Sequence, residues 1–219
     1  ILILGLFTLV TVGFHINLND IIASLLSPLS KFLNTLPGYV VYHMLCGLVF
    51  FLGINSAVVI GVFQVFLTSN SLANEAAYAA GDTVQFIATN SVDTMIWAGG
   101  TGATIGLVLL MVFASKSKMM KTLGRISVGP GIFNINEPLI FGIPIAFNPL
   151  FLLPFVLTPG IIAGITYFLM SNGVIGMPII GNVPWTIPPV LVGYAMSGGN
   201  IGTTIWSGLI VVLSLLIYY

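Results

Sequence analysis

The chain has 219 residues, 58% of them apolar and only 5% charged, with five basic and five acidic side chains that cancel. A soluble domain carries roughly a quarter charged residues, so a water-facing surface is excluded and lipid must surround most of this chain. The absence of a basic stripe excludes nucleic acid as a partner. The expected fold class is all-α: a polytopic membrane protein with re-entrant hairpins and an interfacial amphipathic helix.

The sequence starts at Ile1 and stops at Tyr219, both in apolar runs. Both ends read as cuts within a span, so a fragment of a longer chain is expected. Residues 1–16 read as the end of one span. Over 19–36, Ile21, Ile22, Leu25, Leu26, Leu29, Phe32, Leu33 and Leu36 share one helical face. Ser24, Ser27, Ser30, Lys31 and Asn34 lie off it, which reads as an amphipathic helix opened by Asn19 and bent at Pro28. Residues 1–36 are therefore read as a span end plus linker helix, and residues 37–219 as the main membrane domain.

The stretch 37–66 is longer than the ~20 residues that cross a bilayer. Gly53-Ile54-Asn55-Ser56 interrupts it, which suggests a span, a break and a short second segment. Residues 67–94 carry Glu75, Asp82 and Asp93, so part of them is expected to be wet. Residues 95–115 read as a clean span. Lys116, Lys118, Lys121 and Arg125 then cluster in what reads as one loop, cytoplasmic by the positive-inside rule.

After Glu137 no ionisable Asp, Glu, Lys, Arg or His follows. Pro130, Pro138, Pro144 and Pro149 punctuate the chain around it. Proline removes a helix donor and pushes its predecessor out of the α region, so 128–148 is expected to be a broken, re-entrant hairpin. Spans are expected at 149–170 and 190–216, joined by 171–189. Trp97–Gly106 and Met196–Ile205 resemble each other as Gly-rich stretches. The pairs Gly102/Gly106, Gly160/Gly164 and Gly198/Gly202 have the spacing of close helix packing. Cys46 reads as a packed thiol, and His15 and His43 as buried imidazoles. No metal-ligand spacing, nucleophile elbow or nucleotide-binding loop is present, so neither metal nor cofactor is expected.

Glu137 is the centre of chemical interest. A carboxylate near mid-bilayer costs roughly 2.5–3.5 kcal/mol on insertion scales, and this one sits in Asn136-Glu137-Pro138, where the helix must break. A neutral, hydroxyl-rich ligand matches such a site: the carboxylate accepts, and the Asn amide both donates and accepts. Capping of nearby backbone donors is the structural alternative. Trp185, in a Gly/Pro-rich segment, suits the apolar face of a sugar ring; an interfacial-belt Trp is the equal alternative.

The run Gly131-Ile132-Phe133-Asn134-Ile135-Asn136-Glu137-Pro138-Leu139-Ile140-Phe141-Gly142-Ile143-Pro144, continuing into Asn148-Pro149, resembles the signature of enzyme IIC. That is the membrane component of bacterial phosphotransferase systems, here closest to the lactose/cellobiose/chitobiose type. Gly99–Thr104, Trp185–Pro189 and the apolar run into Gly53-Ile54 resemble it too. The resemblance implies the C-terminal, sugar-carrying half of a permease in the bacterial plasma membrane. It implies a homodimer formed mainly through the other half. Glu137 and Asn136 fall on the family's sugar-binding positions and Trp185 on its stacking Trp. Where the family commonly has Gly-Ile-His-Gly, Asn55 replaces the His and Ser56 the second Gly. Asn55 and Thr101 are expected to complete the site. A phosphorylated IIB protein or domain is the implied partner, with no phosphorylated residue in this chain.

The expected function is thus binding of a cellobiose-, chitobiose- or lactose-like sugar and its inward movement for phosphorylation. An ion-coupled secondary transporter, with Glu137 as ion site, is the rival reading. A non-transporting membrane subunit is a third.

Overall fold

The computed structural model describes residues 27–219. The chain divides into two compact units, Ile1–Phe32 and Leu33–Tyr219. Of the first, only residues 27–32 are described, and they are helical. The span end expected at 1–16 and most of the amphipathic helix expected over 19–36 lie outside the described residues.

The second unit is all-helical among the described residues. Its helices are α1 (Leu36–Phe51), α2 (Ala57–Ala80), α3 (Asn90–Ile96), α4 (Ile105–Phe113), α5 (Lys118–Ile132), α6 (Glu137–Gly142), α7 (Pro149–Ser171), α8 (Pro189–Met196) and α9 (Ile201–Tyr218). Three of them, α2, α7 and α9, are long and apolar enough to cross a membrane.

Local chemistry explains the starts. Thr35, Thr89, Ser117, Asn148 and Asn200 each accept a backbone N–H with their side chains and so open α1, α3, α5, α7 and α9. Proline occupies the first turn of α1, α6, α7 and α8, where its missing N–H costs nothing. Pro154 and Pro159 lie inside α7, and the Thr158 hydroxyl donates to the Pro154 carbonyl there.

Helix α1 packs along α7 because small residues let the two approach. A methyl group on Gly47 would sit 3.0 Å from the Phe155 carbonyl, and one on Gly160 only 2.5 Å from Met44. Gly164 faces Val40 in the same seam, so this GxxxG pair packs as its spacing suggests. Gly106 meets the backbone of Ser214 and Leu215, which seats α4 against α9. Gly198 does not join a helix seam: it lies at φ 64 in the break before α9.

Several expectations need correction. The break after α1 falls at Leu52–Ser56, as the Gly53 motif suggests, but the second segment is the full-length α2 and not a short one. Residues 95–115 are not a clean span. The chain leaves the helix after Ile96 and turns through Gly99, Gly100 and Gly102, all at positive φ, before α4 begins. The basic cluster is mostly helical, not a loop: Lys118, Lys121 and Arg125 lie on α5, which Ser117 caps and which runs on through Gly124, Gly129 and Pro130 to Ile132. Residues 190–216 are likewise divided, at Ser197–Asn200. The two Gly-rich stretches therefore occupy equivalent places, each a break between a short helix and an apolar one.

The hairpin around Glu137 is broken as expected. Helix α5 stops at Ile132, Asn134 turns at φ 62, and α6 starts at Glu137. The first arm begins further back than 128, at Lys118.

Candidate functional site

The breaks converge on one cleft of about 670 Å³. The hairpin tip brings Asn134, Asn136 and Glu137; the Gly-rich turn brings Gly100 and Thr101; the segment before α8 brings Trp185. Irregular backbone inside a membrane protein is tolerated where it lines such a cavity.

Among the five residues expected in the site, Glu137, Asn136, Trp185 and Thr101 line this cleft. Glu137 is exposed to it, and no described protein group hydrogen-bonds its carboxylate. Trp185 is 61% exposed, so its ring is available to a ligand. Asn136 is nearly buried: its Nδ2 donates to the Thr101 carbonyl at 2.8 Å and to Thr104 Oγ1 at 3.1 Å. Its amide N–H groups thus brace the Gly-rich turn beneath Glu137.

Asn55 stands outside the cleft lining. Its side-chain oxygen accepts from the Ala57 N–H at 2.9 Å and so helps start α2. Its neighbour Ser56 makes the link to the site instead, with Oγ 3.2 Å from Thr101 Oγ1.

Asn134 is the organiser that residue-by-residue reading passes over. Its Oδ1 accepts from the Gly99 N–H, and its Nδ2 donates to the carbonyls of Trp185 and Ile187. One amide therefore ties the hairpin, the Gly-rich turn and the Trp185 segment together. The left-handed conformation it adopts is one that Asn tolerates better than most residues.

The cleft lining also includes Asp93 and Trp97, on and just after α3, with Gln64 and Asn90. Part of 67–94 is exposed, as its polarity suggests, Asp82 included, but Asp93 itself is only 8% exposed. Its Oδ2 accepts from Trp97 Nε1 at 3.0 Å and from the Tyr42 hydroxyl at 3.3 Å. Its Oδ1 lies 3.3 Å from Nε2 of the fully buried His43, outside hydrogen-bond geometry. The spacing of Asp93 and Trp97, one helical turn apart, is the signal that could have marked the pair. Glu75, by contrast, is structural: its carboxylate accepts from the Gly181 N–H at 2.8 Å and anchors the segment leading to Trp185.

Residues 1–159 match the family model described as "Phosphotransferase system, EIIC". The chain belongs to this EIIC family. This EIIC chain is 38% identical over 206 residues to the lichenan permease IIC component of Bacillus subtilis (strain 168), covering 93% of the chain and 46% of that protein. It is 35% identical over 206 residues to the cellobiose-specific EIIC component of Geobacillus stearothermophilus, covering 92% and 46%. Among solved structures it resembles the transporter ChbC, the IIC component of the N,N'-diacetylchitobiose-specific phosphotransferase system. The TM-score there is 0.86 at 36% identity, over 92% of this chain and 48% of that one. The chain spans about half the length of these relatives. As an EIIC chain with three membrane-crossing candidates, it is a membrane protein.

Proposed function

We propose that this chain is the sugar-binding part of a phosphotransferase-system permease that carries a β-linked disaccharide inward across a bacterial plasma membrane. A phosphorylated IIB protein or domain would then phosphorylate the sugar on the cytoplasmic side. The permease would work as a homodimer joined mainly through sequence outside this chain.

The observation that carries this reading is Glu137. Its carboxylate faces the cleft with no described protein partner, and the exposed ring of Trp185 lines the same cleft. A carboxylate accepts from two hydroxyls and an indole covers the C–H face of a pyranose, which is the chemistry of a sugar ligand. The relatives' own names, lichenan, cellobiose and diacetylchitobiose, point to β-linked glucose-type sugars as the first candidates.

The test uses the full-length permease carrying Glu137→Gln. Loss of the charged acceptor removes ~1.5–3 kcal/mol, so cellobiose affinity by isothermal titration should fall roughly ten- to a hundred-fold. Uptake measured on the same protein should require phosphoenolpyruvate and the IIB partner. Wild-type affinity in the Gln variant, with only proton coupling lost, would sink the sugar-ligand role and favour an ion site.

A further inference from the structure

The wall of the cleft formed by α3 carries a second arrangement that the Glu137–Trp185 pair does not use. Trp97 lines the cleft and is half-buried, and its indole N–H is already committed to Asp93. With the N–H occupied, what Trp97 can offer a ligand is its aromatic face. The ring packs edge-to-face with His43, at 5.0 Å between centroids and 61° between planes.

Asp93 is an unusual way to hold a wall residue. A buried carboxyl is costly unless it is hydrogen-bonded, and Asp93 takes the Trp97 N–H on its Oδ2, while its Oδ1 lies 3.3 Å from His43 Nε2 without hydrogen-bond geometry. Tyr42 adds a hydroxyl to the same carboxylate oxygen that holds Trp97. Two donors on one buried carboxyl oxygen fix its place, so Asp93 holds the indole in one orientation. Beside it, Gln64 Nε2 donates to Asn90 Oδ1 at 2.8 Å, which sets two amide side chains at the cleft edge.

We propose that Trp97 is a second ligand-contacting aromatic face, and that Asp93, backed by His43, is the positioning residue that holds it. Resting on the sugar reading above, this assigns the cleft two ring-binding faces, Trp185 and Trp97. Gln64 and Asn90 supply hydroxyl partners at the second. The ligand class is therefore a saccharide of at least two rings, and a monosaccharide fills only part of the site.

Full-length permease variants titrated with cellobiose and with glucose test this. Trp97→Leu should weaken cellobiose about tenfold while Trp97→Phe, which keeps a ring, costs no more than about threefold. Glucose, held at the Glu137 end, should change by less than about twofold with either. Asp93→Ala should weaken cellobiose as much as Trp97→Leu, and Asp93→Asn, whose amide oxygen still accepts, should restore most of it. The double variant Trp97→Leu/Asp93→Ala should be no worse than Trp97→Leu alone, because Asp93 acts through the indole.

Native cellobiose affinity in Trp97→Leu, or full additivity with Asp93→Ala, overturns the proposal. Should Trp97→Leu fail to fold, fluorine NMR of fluorotryptophan-labelled protein decides. The resonance missing in Trp97→Phe should shift on cellobiose addition, and an unmoved resonance overturns the proposal. The two readings fail separately. Native affinity in Glu137→Gln removes the sugar reading, whereas weakened Glu137→Gln with unchanged Trp97→Leu removes only the second face.

Discussion

Asn134 holds Trp185 by its backbone: Nδ2 donates to the Trp185 carbonyl at 2.7 Å and to the Ile187 carbonyl at 3.1 Å. Through its oxygen the same side chain takes the Gly99 N–H at 2.8 Å. Glu137 and Trp185 come from segments that share no helix, and this amide is what brings their backbones into one wall. Asn134→Asp keeps the left-handed turn but presents acceptors to two carbonyls that need a donor. Orphaning buried groups costs ~1–3 kcal/mol, so the variant should melt several degrees lower and bind cellobiose at least about tenfold more weakly. Thermal unfolding and titration of the same preparation check this. Unchanged values in both would show that the segments are held by other contacts.

Gly100 gives a sharper packing test. It sits at φ 89, and a methyl group there would lie 2.5 Å from Asn136 Cγ. Gly100→Ala therefore meets both backbone strain and a clash with a side chain that is itself pinned to Thr101 and Thr104. The expected loss is ~2 kcal/mol or more in stability. Gly61, inside α2 with open space around its Cβ, is the control. Gly61→Ala should be neutral or stabilise by about 0.5–1 kcal/mol. Equal effects at the two positions would contradict the tight fit of Asn136 under the turn.

The hairpin and its carboxylate were legible because their signals are local. Asn136-Glu137-Pro138 puts a charge and a helix breaker together in an apolar stretch, and the structure breaks there. Trp185 stood out against a Gly/Pro-rich segment. The α3 part of the lining was not legible. Asp93 and Trp97 look like one turn of an ordinary helix, and their partners Tyr42 and His43 lie on α1, far away in sequence. The break over Trp97–Thr104 was hidden because glycines in an apolar run are also what a packed transmembrane helix contains. Only the positive φ angles of Gly99, Gly100 and Gly102 reveal the turn. Asn55 was read from its position in a motif alone, and the contact its side chain makes, accepting from the Ala57 N–H, has no sequence signal of its own.

The basic residues make the orientation testable. Lys116, Lys118, Lys121 and Arg125 lie at and just after the connection between α4 and α5, and translocating four clustered charges is disfavoured. The native Cys46 is buried, so a cysteine introduced at the exposed Ser117 provides the accessible thiol of this segment. In a background with other exposed cysteines replaced, Ser117→Cys should resist a membrane-impermeant maleimide in intact cells and react after lysis. Labelling in intact cells would reverse the orientation assigned to this basic segment.

Trp185 separates a ligand-stacking ring from an interfacial anchor. Its ring is 61% exposed and lines the cleft, while its backbone carbonyl is tied to Asn134. That tie runs through the main chain and survives any change of side chain, so substitutions here report on the ring itself. Trp185→Ala removes the aromatic face, and the loss of apolar contact plus stacking is worth ~1.5–3 kcal/mol. Cellobiose affinity should then fall about ten- to a hundred-fold. Trp185→Phe keeps a face of smaller area and should lose only a few-fold. Melting temperature should move little in either variant, because an exposed ring contributes little to the packed interior. An anchor at the membrane surface would behave in the opposite way: expression and thermal stability would drop in Trp185→Ala while affinity stayed native. Titration and thermal unfolding on the same purified variants distinguish the two, and native affinity in Trp185→Ala would remove the stacking role.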